Sequence, residues 1–139
     1  MSTLFFGKLS FLIPILKLIK NTFHKQERLC SRKQMEVLFK SGLSLASYPI
    51  KLVYLETPVD LFYPAQSMFV VPKRLFKKAH DRNTLKRRMR EVYRLNKAKL
   101  YENLNGKNKK MILAFIYTNK KEEDFQSIEK AILKLLQKI

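Results

Sequence analysis

The sequence contains a single cysteine, Cys30, among its 139 residues. One cysteine excludes an internal disulfide and a cysteine-based zinc cluster, and it fits the reducing environment of the cytoplasm. A cysteine nucleophile also needs a histidine partner. The two histidines, His24 and His80, lie in a predicted tail and in a basic segment. We therefore expect no covalent catalysis by this chain.

Glycines and acidic residues are also few. Three glycines are too few for a glycine-rich loop that would cradle phosphates. The 11 acidic residues form no pair in an apolar setting, since Glu56 and Asp60 lie by a loop and residues 122–124 precede a helix. The sequence therefore predicts no catalytic residue on the protein and no certain metal site.

The N-terminus lacks an uninterrupted apolar run. Residues 1–19 are rich in Leu, Ile and Phe but include Lys8, Pro14 and Lys17, whereas about 20 consecutive apolar residues are needed to span a bilayer. No small-residue cleavage site of a secretory signal is present. A segment lying on a membrane surface is an alternative. We interpret residues 1–26 instead as an extension, disordered or loosely packed and without membrane contact, that precedes one domain over residues 27–139.

What the sequence does have is positive charge. The 29 Lys and Arg against 11 Asp and Glu give a net charge of +18. Twelve of the basic residues lie between residues 73 and 99, with only two acids among them. Such a run is either a solvated face or a surface for a polyanion. Because acidic residues hardly interleave, the run favours binding to a polyanion.

Residues 81–94 within this run are predicted to form a helix. Leu85, Met89 and Val92 recur at i, i+4 and i+7 and make one narrow apolar stripe. The polar and basic residues are expected on the other side: Arg82, Asn83, Lys86, Arg87, Arg90 and Arg94. The helix would bury one edge in a core and present a cationic face.

The rest of the chain alternates between helix and strand patterns. Ser31 and Gln34 form a capping-box pattern for a helix over 31–41, which Gly42 would end as a residue after the C-cap. Strand formers follow within residues 43–56 and 66–71, and residues 111–117 form a nearly continuous apolar run. A helix closes the chain from Phe125 onward. The order α-β-β-β-α-β-α predicts an α+β fold, a single-domain two-layer α/β sandwich.

At this point the sequence resembles a known family. The residues Pro72-Lys73-Arg74, Ala79, Arg82-Asn83-Thr84-Leu85-Lys86-Arg87 and Arg90 are similar to the signature of the bacterial ribonuclease P protein component. Residues 32–42 are similar to its first helix and turn. The resemblance extends from about Glu27 to the C-terminus. Two positions depart from the family pattern: Thr84 replaces an arginine, and Arg88 replaces an apolar residue.

The resemblance implies a function. Members of the family are the small subunit of a ribonucleoprotein that removes the 5′ leader from precursor tRNA. The catalytic RNA carries the chemistry with Mg2+ that it mainly holds itself, so no ion is expected on the protein alone. No obligatory protein partner and a cytoplasmic location are expected. The fold is expected to contain a left-handed β-α-β crossover, although right-handed crossovers are the rule. A ribosomal or other structural RNA-binding protein is the alternative.

The resemblance also implies two sets of site residues. One set is expected to bind RNA: Lys73, Arg74, Lys77, Lys78, Arg82, Asn83, Lys86, Arg87, Arg90 and Arg94. The other is expected in a leader cleft between the first helix and the sheet: Met35, Phe39, Tyr48 and Tyr54. Aromatic planes suit such a cleft because bases stack on them. Burial in the core explains Met35 and Phe39 equally well, and Asn83 could instead cap the helix.

Overall fold

Four strands form one mixed sheet in the computed structural model, which describes residues 22–139. The strands are β1 (Leu43–Ser47), β2 (Ile50–Glu56), β3 (Ala65–Val70) and β4 (Met111–Tyr117). Their order across the sheet is β1-β2-β4-β3. Strands β3 and β4 are parallel, whereas the other neighbours are antiparallel.

Three helices complete the fold. They are α1 (Arg32–Ser41), α2 (Ala79–Gly106) and α3 (Phe125–Lys138), and a short 3-10 turn (Lys25–Glu27) precedes them. The predicted order α-β-β-β-α-β-α and the α+β class are confirmed. Helix α2 connects the parallel strands β3 and β4, so it is the crossover to which the resemblance applies. The hand of that crossover stays a prediction.

The sheet separates two apolar clusters because side chains alternate between its faces. Leu113, Phe115 and Tyr117 of β4 belong to the larger cluster, which α2 and α3 cover. Ile112 and Ala114 belong to a smaller cluster, which α1 covers. The predicted stripe of α2 (Leu85, Met89 and Val92) is fully buried in the larger cluster. The stripe therefore anchors the basic helix to the sheet.

Both ends of α1 are set by single residues. The Ser31 side chain accepts a hydrogen bond from the backbone N–H of Gln34 at 3.4 Å, as the capping pattern predicts. Gly42 follows the helix but has an extended φ of −71°, not the left-handed conformation expected after a C-cap. A Cβ at this position would lie 2.3 Å from the carbonyl oxygen of Leu38 and 2.8 Å from Val53. Glycine is therefore needed here for close packing of α1 on β2.

The N-terminal part of the described chain packs on the fold. The ring of Phe23 lies 5.9 Å from that of Phe69 and 5.8 Å from that of Tyr93, and Glu27 is fully buried. The packed part of the chain therefore begins earlier than the boundary after residue 26 that we predicted. Residues 1–21 of the predicted extension lie outside the described residues.

Candidate RNA interface

One side of α2 carries most of the predicted RNA-binding residues. Asn83, Lys86, Arg87, Arg90 and Arg94 lie along one face, because each is three or four residues from another member of the set. Asn83 and Arg87 are exposed, and the other three are partly buried. This face points away from the buried stripe. The structure therefore confirms a half-embedded helix with a cationic outer face.

The loop between β3 and α2 carries four further exposed cations next to the start of the helix. Its backbone turns back on itself where the N–H groups of Leu75 and Phe76 donate to the carbonyl of Pro72, at 3.1 and 3.3 Å. The ring of Phe76 also lies 5.7 Å from that of Tyr117 in the core. These contacts fix the loop at the start of α2. The exposed cations are Lys73, Arg74, Lys77 and Lys78.

Arg82 does not point outward with the other predicted residues. Its Nη1 atom donates to the backbone carbonyls of Phe76 and Lys77, each at 2.9 Å. Residues three apart lie on the same side of a helix, so Arg82 is on the side of Leu85 and faces the loop. We therefore correct its predicted direction: Arg82 holds the loop in place.

The protein's own carboxylates neutralise few of these charges. Arg94 donates to Glu91, with Nε 3.1 Å from Oε2, and this contact lowers the pKa of Glu91 and raises that of Arg94. Within residues 22–139, no carboxylate lies within 4.0 Å of the other predicted RNA-binding cations. Such a surface, with few counter-charges among the described residues, is suited to a polyanion.

The four predicted cleft residues are not brought together. Met35 and Phe39 are four residues apart on one flank of α1, where Met35 packs on the smaller cluster and Phe39 is exposed. Tyr54 packs on the larger cluster, on the opposite face of the sheet. Tyr48 lies in the turn after β1, where its hydroxyl contacts Glu123 of the segment before α3 at 3.4 Å. Neither tyrosine therefore lies in the cleft beside α1. The alternation of side chains along β2 places Tyr54 on the other face of the sheet, and Tyr48 contacts the segment before α3.

A lysine that we did not predict lies on the cleft side of the sheet. Lys51 is exposed on β2, two residues before Val53 and therefore on the same face. It pairs in register with Ile116 of β4. Ile116 and Met68 are partly buried on the smaller cluster, so the face combines an apolar floor with a cation. The alternation of side chains along β2 could have predicted that Lys51 lies on this face of the sheet.

Arg28 is a second cation that the sequence patterns did not single out. The next residue, Leu29, donates its N–H to the carbonyl of Ser67 on β3 at 2.9 Å. This bond places Arg28 along the edge of the sheet beside α2. Its guanidinium lies 5.8 Å from the ring of Phe23, and its charge contributes to lowering the pKa of Arg90. The motif of α2 contains no signal for this neighbour.

Comparison with known proteins identifies the family. The family model for ribonuclease P matches residues 23–139. The ribonuclease P protein component of Porphyromonas gingivalis is 34% identical over 116 residues, which cover 83% of this chain and 84% of the relative. The chain belongs to the ribonuclease P protein family.

Other ribonuclease P proteins agree with this assignment. The protein component of Thermotoga maritima is 31% identical over 121 residues, which cover 85% of this chain and 96% of the relative. A solved structure of ribonuclease P protein from the same species matches with a TM-score of 0.65 and 29% identity, covering 81% of this chain and 97% of that one.

Family membership decides the function at the level of the complex. The chain is the protein component of the ribonuclease P holoenzyme, an endoribonuclease of tRNA 5′-end maturation, and it works with ribonuclease P RNA. A ribosomal or purely structural RNA-binding role is thereby set aside.

The two residues that depart from the family motif make hydrogen bonds within the protein. The hydroxyl of Thr84 donates to the carbonyl of His80 within α2 at 3.0 Å. The Nη1 atom of Arg88 lies 3.0 Å from a carboxylate oxygen of Glu122 and 2.8 Å from the carbonyl of Glu123. Arg88 therefore ties α2 to the segment before α3, and its guanidinium is used inside the protein.

Within residues 22–139, no three or more His, Cys, Asp or Glu side chains are grouped so that they could hold a metal ion. In the same part of the chain, no helix has the length and apolar character needed to cross a membrane.

Proposed function

We propose that this protein docks on ribonuclease P RNA through the outer face of α2 and the loop over residues 73–78, and that it holds the 5′ leader of precursor tRNA in the cleft beside α1. Phosphodiester cleavage takes place on the RNA, which holds the Mg2+ ions. The protein acts in the cytoplasm and needs no further protein partner. The observation that carries the proposal is the row of cations on α2 and on the loop before it, which carboxylates within residues 22–139 neutralise mainly at Arg94.

Docking through α2 is supported by the rigidity of the surface and by its charge. The stripe Leu85, Met89 and Val92 fixes the helix to the sheet, so the outward side chains start from fixed backbone positions. Each phosphate that such a surface neutralises releases counterions and steepens the salt dependence of binding by about 0.9 on duplex RNA. Phosphate contacts of this kind do not depend on the base sequence.

The leader cleft is supported by the other face of the sheet. Phe39 offers an exposed aromatic ring on α1, and Lys51 offers a cation on β2. Met68 and Ile116 are partly buried on the same face of the sheet and add an apolar floor. A single strand needs cations for its backbone and planes for its bases, and each stacked base contributes about 1–3 kcal/mol. This side of the sheet supplies both.

Two ion pairs of the described residues support an ion that the RNA holds. Glu91 pairs with Arg94 and Glu122 with Arg88, so these two carboxylates near the cationic surface are already used inside the protein. The cations of the protein instead reduce the repulsion between catalytic RNA and substrate. We expect the protein to lower the Mg2+ concentration that the complex requires.

Reconstitution tests the assignment of the chemistry. Purified protein, ribonuclease P RNA and precursor tRNA are combined at low Mg2+ concentration, and leader removal is followed on a gel. We expect cleavage by the complex, weak cleavage by the RNA alone and none by the protein alone. Leader removal by the protein without the RNA would overturn the proposal.

The cleft is tested with two exposed residues of α1. Phe39 and Val37 are 50% and 48% exposed, and they project from different sides of the helix. Phe39→Ala is expected to raise the KM of the holoenzyme for precursor tRNA by about tenfold, as the loss of one stacked base would. Val37→Ala is the matched control and should leave this KM unchanged. Equal effects of the two variants would argue against a leader cleft on this flank.

A further inference from the structure

Three aromatic side chains lie in contact at the surface beside the start of β3. Phe62, in the loop between β2 and β3, is 79% exposed. Its ring lies 5.0 Å from that of Tyr63, on which the ring of His24 stacks at 5.8 Å with an angle of 14° between the planes. We call these three residues the aromatic patch. Contiguous apolar patches mark interaction sites, whereas single exposed side chains need no explanation.

Buried contacts hold the aromatic patch in place. The ring of Tyr63 lies 6.3 Å from that of Tyr101, which is buried in the core and donates to the carboxylate of Glu27 at 2.7 Å. The backbone N–H of His24 donates to the other oxygen of that carboxylate at 2.6 Å. The rings are therefore positioned before any ligand binds, which reduces the entropy that binding would cost.

Cations surround the aromatic patch. Backbone hydrogen bonds of 2.9 and 3.0 Å join its loop, residues 57–64, to the turn over residues 107–111. Lys109 of this turn lies 3.8 Å from Glu56. The neighbouring lysines that have no carboxylate within 4.0 Å among residues 22–139 are Lys25, Lys107 and Lys110. Since the lysines outnumber the two acidic residues here, Glu56 and Asp60, this end of the sheet favours an anionic partner.

This surface is separate from the two surfaces described above. Strand β3 lies between the aromatic patch and the loop over residues 73–78, and its six residues span about 20 Å. Tyr63 packs on the larger cluster, which lies on the face of the sheet opposite α1. The aromatic patch therefore belongs neither to the basic start of α2 nor to the cleft beside α1.

We propose that the aromatic patch binds an unpaired nucleotide of RNA, whose base stacks on Phe62 while the flanking lysines neutralise the adjoining phosphates. Aromatic planes beside cations suit single-stranded nucleic acid, because every base has a face that can stack and every nucleotide carries a charge. The inference goes beyond the proposed function, since neither docking through α2 nor the leader cleft uses these residues. The nucleotide belongs to ribonuclease P RNA or to precursor tRNA, and the experiments below distinguish the two.

Fluorescence tests stacking directly. The sequence contains no tryptophan, so Phe62→Trp introduces a single fluorophore and keeps an aromatic plane at this position. We expect a short oligoadenylate to quench its emission, because a base stacks on the indole. Inorganic polyphosphate at equal charge concentration should not quench it, since polyphosphate has no bases. Equal quenching by the two polyanions, or none by the oligoadenylate, would overturn the proposal.

Substitutions in the holoenzyme identify the RNA that supplies the base. Affinity for ribonuclease P RNA and the KM for precursor tRNA are measured for Phe62→Ala, Phe62→Leu and Phe62→Trp. The alanine and leucine variants should weaken the same one of these two quantities by about tenfold, as the loss of one stacked base would. The tryptophan variant should retain the wild-type values, because it can still stack. Val59→Ala is the matched control, since Val59 is 42% exposed in the same loop and should affect neither quantity.

The leucine variant separates stacking from ordinary apolar docking. Wild-type values in Phe62→Leu together with losses in Phe62→Ala would indicate an apolar surface for a protein partner and would overturn the proposal. Unchanged values in all three variants would overturn it as well. Failure of the wild-type protein to bind ribonuclease P RNA would instead defeat the proposed function, and the quenching experiment would still decide whether the aromatic patch stacks with a base.

Discussion

Replacing Glu27 by glutamine would break a fully buried ion pair while nearly preserving shape. One carboxylate oxygen of Glu27 pairs with Lys97 and accepts from Tyr101 at 2.7 Å. The other accepts from the backbone N–H of His24 at 2.6 Å. Glu27 and Lys97 are both 0% exposed, so the substitution leaves an ammonium group in the interior without its counter-charge.

The expected loss follows from the contacts that remain around Lys97. Removing one partner of a buried pair costs about 3–5 kcal/mol. Lys97 keeps its hydrogen bond to the carbonyl of Thr22, and its Nζ lies 5.5 Å and 5.4 Å from the rings of Phe23 and Tyr101. Each cation–π contact contributes about 0.5–2 kcal/mol. We therefore expect Glu27→Gln to lower the free energy of unfolding by about 3 kcal/mol, the lower end of that range. Urea denaturation at pH 7, followed by circular dichroism, measures it.

The dependence on pH supplies a second signature. Burial lowers the pKa of Lys97 in the wild type, and Glu27 partly opposes this by raising it. In Glu27→Gln the opposing charge is gone, so the folded-state pKa falls further below the unfolded value of 10.5. As the pH rises toward that value, the unfolded variant binds more protons than the folded one. Its stability relative to the wild type therefore increases with pH.

Two results would refute this reasoning. One is a loss below about 1 kcal/mol, the size of a single ordinary hydrogen bond. The other is an equal loss at pH 7 and near pH 10. The combined variant Glu27→Gln with Lys97→Met is the control, because it removes the unpaired charge. It should recover most of the stability, since an apolar replacement of a buried pair is often tolerated.

Two further substitutions test individual contacts. Gly42→Ala should destabilise the protein by about 1–3 kcal/mol in urea denaturation, because its Cβ would lie 2.3 Å from the Leu38 carbonyl oxygen. Gly106→Ala should be neutral or stabilising, since nothing lies within 4 Å, and equal effects of the two changes would contradict the packing argument. Arg82→Met should lower stability by about 1–2 kcal/mol and speed amide hydrogen exchange over residues 73–78, which it holds through two carbonyl contacts. Unchanged exchange in that loop would show that Arg82 does not order it.

Local patterns predicted the framework of this fold. The spacing of Leu85, Met89 and Val92 identified the side of α2 that is buried, because apolar residues that recur at the helical period mark the buried side of a helix. The order of helices and strands followed from similar patterns. The cationic face of α2 was also predictable, because most of the basic residues of this helix lie on the side away from the buried stripe. Family resemblance added the functional meaning of that face.

One error arose where the outcome depends on a contact between distant residues, and two arose where a local pattern was not followed. Glu27 and Lys97 are 70 positions apart, and no local pattern indicates that they meet. Their pairing is why the chain before residue 27 is packed on the fold. Arg82 was assigned to the wrong side because it was classed by charge, although its spacing from Leu85 placed it near the core. Tyr54 was assigned to the cleft although the alternation of β2 places it on the other face.

The central claim is that cations on the outer face of α2 bind RNA phosphate. Its most direct test is the salt dependence of binding to ribonuclease P RNA, measured for the wild type and for the combined variant Arg87→Ala with Arg90→Ala. We expect the slope of the logarithm of affinity against the logarithm of salt concentration to become shallower by about 1.8, as the loss of roughly two phosphate contacts requires. An unchanged slope would show that this face does not contact phosphate and would contradict the account.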